Sequence, residues 1–402
     1  MAALVKRLPQ GAEALAFPGE QGVRAGWPQA RLPRVERPLR RMRANFSGGP
    51  GALPESVLQQ AAEAVLCLPE IGMPVLGISH RSDWFRDIVA KAEANFRRLL
   101  NVPAGYQVLF LQGGATLQFS MIPMTLLRGR SGAAEYLDTG YWSHKSIADA
   151  EREGEVRVLW SGESFGYRHL PSADEVRARE TAAYFHYVSN ETVQGIQFDY
   201  LPGLEAVPRI CDMSSDFLSR PIDISRFSLV YAHAQKNLGP SGTTVTVVRD
   251  EVLDATPDGL PSMLDYRNHA AAHSIYNTPP VFSVYVVYLV SEWLLHEIGS
   301  LETMDRLNRA KAELIYRTID ASAGFYRGRA ERRNRSVMNA VFNLPNADLD
   351  QAFVTEAEAE GLAGLKGHRA IGGIRVSLYN AVTLQDVEML SEFMTDFCRR
   401  YG

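Results

Sequence analysis

The segment from residue 228 to residue 244, SLVYAHAQKNLGPSGTT, most constrains what this chain can fold into. Residues 229–232 are an apolar run, and residues 243–248 consist of threonine and valine, so that both segments are predicted to be β-strands. Between them lie Lys236 and a turn rich in glycine and proline. A lysine at the end of a buried strand suits an amine that must lose its proton to react, because burial disfavours the ammonium form. The same residues taken alone also fit a solvated lysine in a surface turn.

An acidic residue upstream gives this lysine a chemical partner. Asp212 ends the apolar, strand-like run of residues 207–211. The pair matches the requirements of pyridoxal 5'-phosphate (PLP): a lysine binds the cofactor as a Schiff base, and a carboxylate keeps its pyridine nitrogen protonated so that the ring withdraws electrons. We therefore predict a PLP site in which Lys236 and Asp212 are the catalytic residues.

The sequence around this pair resembles the phosphoserine aminotransferase family of the aspartate aminotransferase fold group. The resemblance is carried by CDMSSDFLSRPIDISRF and YAHAQKNLGPSGTTVTVVRDE, and it extends from about Asn45 to the C-terminus. It implies an α/β, PLP-dependent transferase fold, with a mainly parallel seven-stranded sheet in a large domain and a smaller α+β C-terminal domain. The expected boundaries are 44–54 for a segment joining the small domain, 55–297 for the large PLP-binding domain and 298–402 for the small domain.

Residues 1–43 do not share this resemblance. Proline and glycine recur there and apolar periodicity is poor, so we expect a largely disordered N-terminal extension. Its many arginines and few acidic residues would also fit a transit peptide, but it contains no serine and no clear amphipathic helix. An extension, or a misassigned start codon, is the preferred interpretation.

Composition narrows the class of protein further. The formal net charge of -4 gives no reason to expect nucleic acid as a partner. The three cysteines, Cys67, Cys211 and Cys398, form no CxxC pair, which favours a reducing, cytoplasmic compartment. The most apolar helix candidate, residues 281–295, is interrupted by Glu292 and is too short and too polar to span a bilayer. We predict that it is a buried helix.

Two helices are predicted before the cofactor residues. The first follows Pro54, and its apolar face is formed by Val57, Leu58, Ala61, Ala62, Val65 and Leu66. The second is capped by Ser82 and buries Phe85, Ile88, Val89, Ala92, Phe96 and Leu99.

A turn after the strand-like residues 108–111 has the features of a phosphate site. Small residues lead from the strand into a helix there, so that backbone N–H groups could cradle an anion, although a glycine pair also fits an ordinary tight turn. In the family this segment binds the cofactor phosphate, and the resemblance assigns that role to Gly114, Ala115 and Thr116. The resemblance also implies that Gln235 binds the cofactor. Some relatives have arginine where this chain has Thr116, which donates only a hydroxyl.

Three further motifs contribute cofactor contacts by resemblance. Trp142, in GYWS, is expected to stack on the cofactor ring, and Thr192, in SNET, to hydrogen-bond its phenolic oxygen. Asn277 and Thr278, in NTPP, are expected to reach the neighbouring subunit's cofactor phosphate, which implies a homodimer. A plain core tryptophan and a glycosylation motif at Asn190 are the alternatives. His269 and His273 have a spacing that could hold a metal, but no third ligand is evident and we predict no metal.

Basic residues near both ends of the chain predict anion binding. His80 and Arg81 precede a helix N-terminus, where anions are favoured. Arg375 lies among apolar strand residues, where an unpaired guanidinium is costly, so it needs an anion or a structural salt bridge. The family resemblance implies that Arg375 binds the substrate α-carboxylate. The distal phosphate or carboxylate would meet His80, Arg81, His368 and Arg369.

The resemblance implies amino transfer between L-glutamate and 3-phosphohydroxypyruvate, giving O-phospho-L-serine and 2-oxoglutarate in serine biosynthesis. A side activity on the phosphohydroxythreonine pair of pyridoxine biosynthesis is an alternative. A cysteine desulfurase would need a reactive cysteine on a mobile loop, whereas Cys67 is predicted in a helix, Cys211 in a strand and Cys398 in the last helix. A scaffold that binds the cofactor without catalysis would have lost its lysine, aspartate or carboxylate-binding arginine.

Overall fold

A computed structural model describes residues 44–402, and the prediction for residues 1–43 lies outside the described residues. The helices of the described part are α1 Glu55–Leu66, α2 Asp83–Leu100, α3 Gly114–Leu126, α4 Tyr141–Ala150, α5 Asp250–Asp254, α6 Tyr266–Ala271, α7 Val281–Trp293, α8 Leu301–Ala321, α9 Ala347–Ala359 and α10 Leu384–Tyr401. Its strands are β1 Ala44–Asn45, β2 Tyr106–Leu111, β3 Ala134–Asp138, β4 Val156–Ser161, β5 Tyr184–Val188, β6 Asn190–Glu191, β7 Ile196–Gln197, β8 Arg209–Asp212, β9 Leu229–His233, β10 Thr244–Arg249, β11 Arg327–Gly328, β12 Asn339–Asn343, β13 Leu362–Ala363 and β14 Ile374–Ser377.

A seven-stranded sheet forms the centre of the fold, in the order β2-β10-β9-β8-β5-β3-β4. Strand β10 is antiparallel to both β2 and β9, and the remaining pairs, from β9 to β4, are parallel. Strands buried on both faces need continuous apolar runs, which is why β8 and β9 lack the polar alternation of a half-exposed strand. The predicted α/β fold with a mainly parallel seven-stranded sheet is confirmed.

The direction of the strands brings their carboxyl ends to one edge of this sheet. Asp138, Asp212 and His233 are the last residues of β3, β8 and β9. Helices α3 and α4 begin directly after β2 and β3, so their N-termini lie at the same edge. Open α/β sheets bind ligands in the crevice outside this edge.

A second, smaller sheet follows in the chain. Strands β11, β12 and β14 form an antiparallel sheet whose apolar core includes Phe342, Phe353 and Phe397. Strand β1 pairs with β13 in parallel, and the neighbouring Phe46 is buried in the same core. Helix α8 starts in the core of the large sheet and ends in that of the small one. A domain boundary near residue 298 stays a prediction.

Helix signals in the sequence are confirmed in part. The Ser82 hydroxyl caps α2 by accepting a hydrogen bond from the Phe85 N–H (3.2 Å), and the predicted face of α2 is buried. The predicted face of α1 is wrong at Leu58 and Leu66, which are 46% and 78% exposed, and at Ala62, which is also exposed. The helix buries Val57, Ala61 and Ala64 instead, so its contact face is narrower than its apolar face.

Helix α7 is longer than its sequence suggests, because a π-helical turn, Leu294–Ile298, continues it. With that turn, the helix is long and apolar enough to cross a membrane by length and composition, which the prediction had excluded. More than half of this span is buried within the protein, where it packs against α1 and α2. The prediction of a buried helix holds.

Candidate active site

One cavity of about 360 Å³ at the carboxyl edge of the large sheet gathers most of the predicted cofactor residues. The predicted residues that line it are Gly114, Ala115, Thr116, Trp142, Asp212, Gln235 and Lys236. Gly113, Ser214, His233 and Gly242 line it as well, and the sequence analysis assigned them no role. The cavity therefore joins the ends of β8 and β9 to the N-termini of α3 and α4.

Lys236 and Asp212 are both buried, with 9% and 4% of their surface exposed. The Lys236 Nζ lies 5.1 Å from the centre of the Trp142 ring. Asp212 Oδ1 accepts a hydrogen bond from the Ser214 N–H (2.8 Å). Burial raises the pKa of Asp212, while Lys236 and the groups of Ser214 act in the opposite direction. A carboxylate in such a place is stabilised by a cation facing it, as a protonated pyridine nitrogen would do.

Glu191 holds the start of α4, which carries Trp142. Its carboxylate accepts hydrogen bonds from the N–H groups of Trp142 (3.2 Å) and Ser143 (2.8 Å), both in the first turn of the helix. Burial raises the pKa of Glu191 to about 7, although these hydrogen bonds oppose the shift. The sequence analysis missed this role, because it interpreted Glu191 only as the middle residue of a glycosylation motif.

Two buried polar atoms beside Glu191 have no hydrogen-bond partner among residues 44–402. They are the Thr192 Oγ1 and the Trp142 Nε1. Buried polar atoms are normally paired, so these two are candidates for binding a ligand. Thr192 is the residue expected to bind the phenolic oxygen of PLP, and its unpaired hydroxyl fits that role.

The start of α3 forms a cradle for an anion. Gly113 and Gly114 have φ angles of 90° and 70°, in the left-handed region, and a Cβ at Gly113 would overlap the side chain of Leu117. No side chain caps the helix, and its first engaged N–H is that of Leu117, which binds the Gly113 carbonyl (3.3 Å). The preceding N–H groups are therefore free to bind an anion, at the positive end of the helix dipole.

Arg375, on β14, lies against the loop that follows β1. A Cβ at Gly48 would overlap its guanidinium, so only glycine allows this approach. Tyr379 donates a hydrogen bond to the Gly48 carbonyl (3.0 Å), and the Gly51 N–H donates to the carbonyl of Gln235 (2.8 Å). The loop thus joins the strand of Arg375 to the segment that carries Lys236.

The guanidinium of Arg375 is a second candidate for binding an anion. Burial lowers its pKa, and its Nε is buried without a hydrogen-bond partner among residues 44–402. The ring of His368 lies 4.8 Å from that of Tyr141, next to Trp142. Burial, followed by the charges of Arg375, Arg369 and Lys236, lowers the pKa of His368. Arg369 itself is exposed.

Eight predicted residues do not line the Lys236 cavity: Thr192, His368, Arg369 and Arg375, described above, and His80, Arg81, Asn277 and Thr278. His80 and Arg81 precede α2, and Arg81 lines a separate cavity of about 500 Å³ that also includes His273. Asn277 and Thr278 are exposed. Gln112 links them, since it donates to the Thr278 carbonyl (2.6 Å) and accepts from the Asn277 side chain (3.4 Å). Their part in an active site stays a prediction.

The cysteines and paired histidines lie apart from the cavity. Cys67 is exposed just after the end of α1, so its predicted position within a helix is wrong, whereas Cys211 and Cys398 lie in β8 and α10 as predicted. The Nε2 of His269 lies 3.0 Å from the Met263 carbonyl. No group of three potential metal ligands occurs within residues 44–402.

Comparisons with known proteins agree with this geometry. The model of the class-V aminotransferase family matches residues 43–390. A phosphoserine aminotransferase of Geobacillus kaustophilus is 48% identical over 359 residues, which are 89% of this chain and 99% of the relative. The structure of the phosphoserine aminotransferase from Bacillus circulans subsp. alkalophilus is 46% identical, with a TM-score of 0.86 over 89% of this chain and 99% of the other.

A more distant structure gives the same result. It is that of a PLP-bound phosphoserine aminotransferase from Trichomonas vaginalis, which is 36% identical, with a TM-score of 0.81 over 87% of this chain and 99% of the other. The chain belongs to the class-V aminotransferases and, within them, to the phosphoserine aminotransferase family.

Proposed function

We propose that this chain transfers an amino group reversibly between L-glutamate and 3-phosphohydroxypyruvate, giving O-phospho-L-serine and 2-oxoglutarate. The main observation behind the proposal is a single cavity that is lined by Lys236, Asp212 and the N-terminus of α3. Relatives named for this activity match nearly their whole length to this chain. The reaction belongs to serine biosynthesis.

The residues of the cavity fit PLP as the cofactor. The N–H groups at the start of α3 suit its phosphate, the unpaired Thr192 hydroxyl suits its phenolic oxygen, and Asp212 suits its pyridine nitrogen. Trp142 is available to stack on the ring, since it already lies 5.1 Å from the Lys236 Nζ. When bound, PLP supplies a ring that withdraws electrons from the substrate Cα.

Residues of this chain orient the substrate and transfer its proton. Lys236 would hold the cofactor between reactions. Its amine would then move the proton from the substrate Cα to the cofactor carbon that carried the aldehyde, and would move a proton in the opposite direction during the second half of the cycle. Arg375 binds the α-carboxylate, which fixes the orientation of the Cα–H bond towards Lys236. Asp212 keeps a positive charge where electrons accumulate.

Recognition of the distal anion is assigned to residues outside this cavity. We infer that His80 and Arg81, with His368 and Arg369, bind the phosphate of the acceptor or the side-chain carboxylate of glutamate. Asn277 and Thr278 complete the cofactor site of a second copy in a homodimer, because both are exposed beside Gln112 at the mouth of the α3 cradle. All three cysteines are unpaired, as expected in the cytoplasm.

Two acceptors that differ only in the phosphate test this function. With glutamate as donor, we expect rapid transfer to 3-phosphohydroxypyruvate and much slower transfer to hydroxypyruvate. Arg81→Ala should reduce kcat/KM for the phosphorylated acceptor, by roughly 10-fold to 100-fold for a lost charged hydrogen bond, and leave kcat/KM for hydroxypyruvate nearly unaffected, because in a ping-pong reaction this ratio does not depend on how glutamate binds. Arg375→Ala is the matched control, because it removes the carboxylate contact and should slow both acceptors by similar factors.

One result of this assay would contradict the proposed substrate. Equal use of both acceptors by the wild-type protein would contradict the substrate assignment while leaving the fold and the cofactor in place. Amino transfer involving the phosphohydroxythreonine pair stays a prediction, and the same assay with that acceptor tests it.

A further inference from the structure

His233 is the one titratable group of the cavity that the proposed reaction does not use. It ends β9, three residues before Lys236. Side chains alternate along a strand, so His233 points to the same face as Tyr231 and Leu229. That face packs on α3, where the Tyr231 ring lies 6.3 Å from the Phe119 ring. The register of β9 therefore directs the imidazole towards helix α3.

The imidazole of His233 reaches the first residue of that helix. Its Nδ1 and Cε1 both lie 3.6 Å from the position that a Cβ on Gly114 would occupy. Gly114 begins α3, and the free N–H groups of its first turn form the cradle described above. The ring thus lies beside the first turn of α3, where an anion would bind.

The ring of His233 has no hydrogen-bond partner among residues 44–402. Its backbone N–H donates to the Ser214 hydroxyl (3.1 Å), but neither ring nitrogen is engaged. Burial, and then the charge of Lys236, lowers the pKa of His233 to about 4, so the imidazole is neutral at pH 7 in the free chain. The positive end of α3 acts in the same direction, and Asp212 is the acidic side chain that lines the same cavity.

The other groups of the cradle are neutral donors. Thr116 and Gln235 contribute a hydroxyl and an amide, and the helix contributes N–H groups. Among residues 44–402, Lys236 is the only cationic side chain that lines the cavity, and in the proposed function it binds the cofactor's aldehyde carbon. A phosphate dianion held there would therefore meet no full positive charge from this chain unless His233 supplied it.

We propose that His233 is an additional ligand of the cofactor's phosphate group, and that its imidazole takes up one proton from solvent when the phosphate binds. The inference rests on the proposed function for the identity of the cofactor. Opposite charge within a few ångströms favours the protonated imidazole, so the dianion reverses the effects that keep the ring neutral in the free chain. The phosphate is then held by one charged and several neutral donors.

The test compares full-length wild-type protein with His233→Asn, which keeps a polar side chain but cannot titrate. After removal of the cofactor, each protein is titrated calorimetrically with PLP, with pyridoxal and with inorganic phosphate, in buffers of different ionisation enthalpy. Wild type should take up about one proton more than the variant for each PLP bound at pH 7. His233→Asn should bind PLP and phosphate about 10-fold to 100-fold more weakly, and pyridoxal equally well. His296→Asn, which changes an exposed histidine beyond α7, is the matched control.

A second readout does not depend on affinity. The ³¹P chemical shift of the bound cofactor in the holoenzyme should change with pH differently in wild type and His233→Asn. Equal PLP affinity, equal proton uptake and equal ³¹P titration in the two proteins would overturn the role of His233. Equal weakening for pyridoxal and PLP would overturn it too, because that pattern reports a distorted cavity. Failure of wild type to develop the absorbance band of lysine-bound PLP would instead contradict the proposed cofactor, and the phosphate titration would still test His233.

Discussion

The residues proposed to bind the cofactor and the residues proposed to bind the substrate's distal anion are organised differently in this molecule. Most of the proposed cofactor residues share one cavity at a single sheet edge, whereas Thr192, Asn277 and Thr278 do not line it. Of the anion ligands, Arg81 is exposed in a different cavity, and Arg369 is exposed on a turn. We infer from this difference that one chain holds most of the residues for the reaction itself, and we propose that a second copy completes the recognition of the distal anion.

The difference follows from the secondary structure on which each residue lies. Asp212 and His233 end strands whose register is fixed on both sides by neighbouring strands. A position set by sheet register is held more rigidly than one on an exposed loop. Arg81 and Asn277 lie on exposed segments, so contact with a second copy would be needed to fix them.

Loss of the central lysine should have the largest effect. Lys236→Ala removes both the covalent anchor and the group that moves the Cα proton, so amino transfer should fall by roughly 10⁴-fold or more. Steady-state assays and the absorbance of the bound cofactor measure the two losses separately. Because the fold does not depend on this side chain, thermal unfolding should change little. A variant that retained more than a few per cent of activity would show that another base acts in the cavity.

A smaller effect on cofactor binding should follow from removing a hydrogen bond that holds the first turn of α4, where Trp142 lies. Glu191→Gln replaces one of the two accepting oxygens with an amide NH₂, which cannot accept from the N–H groups of α4. An unpaired buried N–H costs about 1–3 kcal/mol, so cofactor affinity should fall by roughly 10-fold. Glu151→Gln, at the exposed end of the same helix, is the control. Unchanged cofactor dissociation in Glu191→Gln would mean that this carboxylate does not position Trp142.

The smallest effect concerns the acid stability of the sheet beneath the cofactor cavity. His186, on β5, is buried with its Nε2 2.9 Å from the Tyr231 hydroxyl, and burial lowers its pKa to about 3. The unfolded chain binds this proton near its ordinary pKa of 6.5, so unfolding takes up a proton below pH 6.5. The free energy of unfolding should therefore fall with decreasing pH, by at most about 1.4 kcal/mol per pH unit from this group.

Denaturant unfolding between pH 7 and pH 4 measures this dependence. His186→Asn should show a shallower loss of stability than wild type over that range. Equal slopes in the two proteins would show that the proton is taken up elsewhere in the folded chain.

The sequence predicted the chemistry better than it predicted the supporting contacts. Lys236, Asp212 and the turn at Gly114 were recognisable because each follows an apolar run, and the ends of such runs meet at one sheet edge. Glu191 and His233 were not, because their roles depend on which residues lie opposite them in space. The sequence feature that could have identified His233 is the alternation of side chains along β9, which places His233 on the same face of the strand as Tyr231.

Local errors also have physical causes. Leu58 and Leu66 belong to an apolar helix face that is wider than the surface α1 packs against, so periodicity alone placed them in the core. Cys67 follows the last turn of α1, and helix ends are the least certain part of such predictions. The separation of Arg81 from the Lys236 cavity could not be predicted from one chain, because it depends on the assembly.

Mixing two inactive variants tests the central comparison most directly. If the anion residues act across a homodimer, Lys236→Ala chains mixed and reassembled with Arg81→Ala chains should form mixed dimers with one complete site, and activity should recover to about a quarter of the wild-type value. Lys236→Ala mixed with Arg375→Ala should recover none, because Lys236 and Arg375 are expected to serve the same site of one chain. Absence of recovery in the first mixture, or recovery in the second, would contradict the account of a self-contained cofactor site completed by a partner's anion ligands.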